Sequence, residues 1–156
     1  MEVYRRSING TFDDKLGGWN VKRIKAVNAS VAVDTTGQLT GKNAVKVTML
    51  TPAENPNALA LTWNLKAEQG QEYLVRLNSK ANKNTSFLLR VGRPDGGGSD
   101  LIDSEIAARQ TYAQASSDSF TIPQDGTYQI ALYFGTLKAG DELWIDDVEL
   151  VPLKNN

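Results

Sequence analysis

Residues 59–78 read LALTWNLKAEQGQEYLVRLN, and this stretch decides the fold. Leu59, Leu61, Trp63 and Leu65 share one parity, a polar run from Glu68 to Glu72 interrupts, and Tyr73, Val75 and Leu77 resume the alternation. Apolar side chains at every second residue mark strands with one buried face, because successive side chains of an extended chain point to opposite sides. The pattern returns in Val45, Val47 and Met49, in Phe87, Leu89 and Val91, in Phe120 and Ile122, and in Tyr128, Ile130, Leu132 and Phe134. TTGQLTGKN, TPAENPN, EQGQ, RPDGGGSD, PQDG and KAGD separate these runs, and their Gly, Pro, Asn and Asp supply the backbone angles that turns require. Many short strands divided by turns predict an all-β antiparallel sandwich of two sheets. Only Leu101 to Ala115 holds helix formers, in IAARQTYAQA, without an apolar stripe, and the GGGSD before it reads as a mobile loop.

Composition removes many functions. A length of 156 residues suits a single domain with one substantial core, and 40% hydrophobic residues is ordinary for a globular chain. Seventeen Lys and Arg against eighteen Asp and Glu leave a net charge of −1, so there is no positive surplus to displace counterions from a nucleic acid. Apolar runs such as ALAL and FLL fall far short of the roughly 20 residues that cross a bilayer, so no membrane span is expected. The opening MEVYRRSINGTF has two Arg but no apolar segment after them, so no signal peptide is visible. With no Cys and no His there is no disulfide, thiolate nucleophile, Ser-His-Asp triad or His general base. Any bound metal must accept oxygen ligands alone, which leaves calcium or magnesium.

The signposts NGTFDD, GGW, GKNAVKV, GQEYLVRLNSKA, DGTYQIALYFG and WIDDVEL, in that order, resemble the carbohydrate-binding modules of families four, nine, sixteen and twenty-two. The resemblance runs from Asn9 to Leu150, with Gly96 to Ser119 outside the pattern, and it lies in the order of the signposts more than in any one of them. It implies a jelly-roll β-sandwich whose concave sheet carries a cleft for a plant cell-wall polysaccharide. It also implies a structural calcium and a non-catalytic role, residues 1–156 being one monomeric module joined to the catalytic domain of a secreted glycoside hydrolase. The location implied is extracellular, at the cell surface or in the periplasm.

For the calcium, the resemblance pairs an acidic residue after the first Gly-x-Phe with an Asp of the last strand, here Asp13 and Asp146, with a backbone carbonyl such as that of Thr11 completing the shell. Asp14 and Asp147 are the alternatives. Alternation supports Asp146 by placing it on the side of Val148 and Leu150, where an inward carboxylate needs a cation. The other reading makes FDD and IDD solvated acids, the common fate of Asp.

A polysaccharide presents weakly apolar C–H faces ringed by hydroxyls, so its binder needs an aromatic ring and side chains that donate and accept. If Tyr73, Val75 and Leu77 point inward, Arg76 and Asn78 point outward; the same rule turns Arg90, Gln129 and Tyr133 outward. An ordinary solvated face is the plainer reading, but these residues are richer in planar hydrogen-bonding groups than the Lys, Glu and Thr such faces usually carry. Trp19 follows two glycines, which disfavours burial in a regular strand, and the matching Trp of several modules stacks on sugar. Trp63, in register with three leucines, belongs to the core. The side of Trp144 stays open, and Tyr112 is not assigned.

The expected ligand is a β-1,4-linked polysaccharide, xylan ahead of glucan, because a polar cleft with few aromatics suits a twisted, soluble chain. Two rivals stand beside it. A structural or adhesive sandwich needs the same core but would have its outward residues covered by protein. A glycosidase needs only two carboxylates, yet Asp103 and Glu105 are expected in a mobile loop and make no rigid pair.

Overall fold

The computed structural model describes residues 12, 16–23, 28–36, 43–51, 59–94 and 100–153. Among them are eleven strands and no helix: β1 (Asn20–Arg23), β2 (Asn28–Asp34), β3 (Ala44–Thr51), β4 (Leu59–Ala67), β5 (Glu72–Ala81), β6 (Thr85–Gly92), β7 (Ile102–Ala108), β8 (Ala113–Ser116), β9 (Phe120–Thr121), β10 (Gly126–Tyr133) and β11 (Glu142–Pro152). They form two antiparallel sheets. The first has five strands in the order β1-β4-β10-β6-β7; the second runs β2-β3-β11-β5-β8, with β9 paired to β5. The chain passes repeatedly from one sheet to the other, as jelly-roll sandwiches do. The stretch with helix formers, Leu101 to Ala115, runs through β7, a connection at residues 109–112 and β8, and in β7 Ile102, Ile106 and Ala108 keep a period of two and are buried.

The alternation that predicts the strands also builds the core. Leu59, Leu61 and Leu65 of β4 and Tyr128, Ile130 and Leu132 of β10 meet Val75 and Leu77 of β5 and Leu143, Ile145 and Leu150 of β11 in one buried cluster. Each such side chain, fully buried, contributes about 1.5–3 kcal/mol. The turn at residues 68–71 moves the chain from the first sheet to the second. Gly70 takes the left-handed backbone this turn needs, with φ 87°, and its N–H donates to the Ile122 carbonyl at 2.9 Å.

Two expectations fail for local reasons. Trp19 does not stand outside the core: it is 6% exposed, with its ring 5.9 Å from Phe12 and 5.3 Å from Trp63. Gly18 serves that packing, because a Cβ there would run into the Trp63 ring, and its φ of 82° suits glycine. The second failure is the parity of Asp146. A bulge between Asp146 and Glu149, with Asp147 left-handed at φ 51°, breaks the alternation of β11. Ile145 pairs with inward Ser79, and Asp146 pairs with Asn78 on the opposite face, while Val148 and Leu150 return to the core. Asp146 is nevertheless completely buried.

Candidate functional site

The outward residues of the first sheet assemble by register. Gln129 lies between Asn64 of β4 and Gly92 of β6; Ala131 lies between Thr62 and Arg90; Tyr133 lies between Ala60 and Leu88. Arg90 in turn faces Asp103 of β7. Paired residues share a face, and residues one step diagonal remain within reach of long side chains. The Arg90 guanidinium therefore lies over the Tyr133 ring, 4.9 Å from its centroid. Its Nε sits 3.1 Å from Asp103 Oδ1 and 4.0 Å from Asp100 Oδ2. Asp100 can approach because Gly92 is bare: a Cβ there would fall 2.6 Å from Asp100 Oδ1. Next along the face, Gln129 Nε2 donates to Asn64 Oδ1 at 3.3 Å.

The middle of this face is built from small residues. Ala60, Thr62 and Ala131 point outward yet are at most 3% exposed, so the larger groups around them cover the sheet here. The Thr62 hydroxyl has no hydrogen-bond partner among the described residues. A ring and a guanidinium supply flat surfaces here, two amides and a hydroxyl donate and accept, and two carboxylates accept.

The second sheet's outer face has similar residue types in a different state. Arg76 and Asn78 stand here, not beside Arg90, Gln129 and Tyr133, so the five expected binders divide between opposite faces of the sandwich. Arg76 Nη2 is 3.4 Å from Glu149 Oε2. Asn78 is 3% exposed, and its Nδ2 donates to Asp147 Oδ2 at 2.9 Å. Trp144 belongs to this face too: its Nε1 donates to Asp34 Oδ2 at 2.8 Å, and Lys46 Nζ lies 5.1 Å over its ring while pairing with Glu142 at 2.9 Å. Hydrogen bonds from the Thr36 hydroxyl and backbone N–H, reinforced by Trp144 and Lys46, outweigh burial and hold the Asp34 carboxyl below the usual carboxylate range. The face is occupied by its own contacts, and Trp144 offers no open ring.

Of the remaining candidates, Trp63 is half-buried against the core as expected, and Tyr112 is 47% exposed in the β7–β8 connection. Asp103 and Glu105 lie on β7, a regular strand, and not in a loop. Asp13 and Thr11 fall outside the described residues. Sequence reasoning missed Asn64, Thr62, Asp100 and Asp103 as members of the site. The alternation of Ile102, Ser104 and Ile106 carried the signal for Asp103; the others needed the register.

The fold is an antiparallel sandwich that carries a patch of planar, hydrogen-bonding groups on one sheet. The chain belongs to the carbohydrate binding domain family that joins families four and nine, whose profile matches residues 7–139. No curated protein matches it. Similar solved structures include a family-four module with 16% identity and a TM-score of 0.79, covering 94% of this chain and 100% of that one. A second is the family-twenty-two xylan-binding domain of Paenibacillus barcinonensis Xyn10C, with 14% identity, TM-score 0.64, and coverage of 89% and 88%. The TmCBM61 module in complex with β-1,4-galactotriose has 18% identity, TM-score 0.66, and coverage of 97% and 100%. At these identities the likeness is one of fold.

Proposed function

We propose that the outer face of the first sheet binds a β-1,4-linked plant cell-wall polysaccharide, xylan first and glucan next. The observation that carries this reading is the Arg90–Tyr133 stack, flanked by the Gln129–Asn64 amide pair over small central residues. A sugar ring set on the stack exchanges water for C–H contact, and the amides and carboxylates beside it take the equatorial hydroxyls. The xylan-binding and β-1,4-galactotriose-bound relatives support a β-linked chain as the ligand class. In the same reading the module performs no hydrolysis and acts as a monomer, outside the cell, bringing an attached glycoside hydrolase to its substrate.

Calcium belongs to the proposal as a structural ion. Asp146, a completely buried carboxylate in a chain without His or Cys, fits an oxygen-only cation. When bound, the ion would neutralise that charge inside the fold.

Titration calorimetry against xylo-, cello- and manno-oligosaccharides tests the binding reading. Dissociation constants between about micromolar and millimolar are expected, on the order of 4–8 kcal/mol. Absence of binding to all three series overturns it.

A further inference from the structure

We propose that Asn78 is a cation ligand, its side-chain carbonyl joining the Asp146 carboxylate in the oxygen shell of the calcium site; this rests on the calcium reading above. Sequence alternation alone gives Asn78 to the sugar. Its burial, at 3% exposure, removes it from any open face, and its register places it directly across from Asp146. Cross-strand partners share a face, so the amide and the carboxylate are neighbours.

The amide is half satisfied. Nδ2 donates to Asp147 Oδ2 at 2.9 Å, whereas Oδ1 is buried and has no hydrogen-bond partner among the described residues. Buried polar atoms almost always have partners, and an exception needs a reason. The neighbour across the ladder, Asp146, is an acceptor when ionised and cannot donate to Oδ1. A hard cation serves both, because calcium draws its ligands from carboxylates and from Asn carbonyls alike.

The bulge fits this role. With Asp147 left-handed, its carboxylate grips Nδ2 and fixes the amide plane, so Oδ1 is oriented before any ion arrives. The residue type fits as well. An Asp at 78 would put a third negative charge against Asp146 and Asp147, whereas the amide supplies an oxygen without one.

The test uses the whole chain, freed of divalent ions with EDTA and then titrated with calcium chloride alone. Asn78→Ala is expected to weaken calcium binding at least tenfold and to leave glycan affinity at saturating calcium unchanged. Asn78→Asp keeps an oxygen at the site and serves if the alanine variant does not fold. It should bind calcium at least as tightly as wild type and show a larger calcium-induced rise in melting temperature, because its apo form carries the extra buried charge. Wild-type calcium affinity and an unchanged melting-temperature rise in both variants would make Asn78 a structural amide only. A wild-type protein that binds no calcium overturns the calcium reading itself, a result distinct from intact wild-type binding with unaffected variants.

Discussion

The outer faces of the two sheets draw on one vocabulary and use it differently. On the first, Arg90 lies over Tyr133 and the amides of Gln129 and Asn64 lie beside them. On the second, Lys46 lies over Trp144, Arg76 is matched to Glu149, and Asn78 is matched to Asp147. Residue types alone would nominate either face. What separates them is the aromatic: Trp144 gives its N–H to Asp34 and is nearly covered, with Asn78 buried near it, whereas Tyr133 is half-buried; the arginines do not differ in this way, for Arg76 and Arg90 are both ion-paired and partly open. In the proposed reading the first face meets the ligand and the second holds the sandwich together.

The largest effect that can break this division concerns Trp19, which belongs to neither face. Trp19→Ala should destabilise the domain by about 3–5 kcal/mol, the usual cost of deleting a buried aromatic. Thermal unfolding will show it, and a folded variant at near-wild-type melting temperature that has lost glycan binding would return Trp19 to the ligand site.

Next comes the calcium proposed for the second face. At about a hundredfold excess over its dissociation constant, an ion that binds only the folded state contributes roughly 2.7 kcal/mol. EDTA should therefore lower the melting temperature by about 5–11 °C, at roughly 2–4 °C per kcal/mol for a domain of this size. Asp146→Ala should melt at a temperature that EDTA no longer changes. An EDTA-insensitive wild type would remove the ion from the account.

Much of the architecture could be read in advance. Strict alternation in Leu59–Leu65, Tyr73–Leu77 and Tyr128–Leu132 fixed strands and their inward sides, because burial of one face imposes the period on the residue types. Sheet membership could not be read, since a turn of a few residues serves equally to form a hairpin or to cross to the other sheet. Arg76 and Arg90 have the same local pattern and end on opposite faces for that reason. Asp146 was misplaced by one bulge, which changes parity without any glycine to announce it. At Trp19 the glycine pair was visible, but the purpose of Gly18, clearance over Trp63, lay in a contact 45 positions away in the sequence.

The smallest effect sharpens the description of the second face by pH. The Asp34 carboxyl is held below its ordinary value of 3.8 by Thr36, Trp144 and Lys46. A depressed folded value means stability fully present above the unfolded value and lost as pH falls through the folded one. Acid unfolding monitored from pH 5 downward should show a shallower loss in Asp34→Asn than in wild type, with glycan binding at neutral pH unaltered. Superimposable acid profiles would separate Asp34 from the network.

The central claim is that the first face, and not the second, receives the glycan. Its most direct test is parallel titration calorimetry of Tyr133→Ala, Arg90→Ala and Arg76→Ala with xylohexaose and cellohexaose in saturating calcium, after circular dichroism confirms each fold. Tyr133→Ala and Arg90→Ala should each weaken binding about tenfold, on the order of 1.4 kcal/mol, with little dependence on salt, and Arg76→Ala should bind as wild type does. Loss of binding in Arg76→Ala with wild-type affinity in the other two would contradict the account and move the site to the opposite sheet.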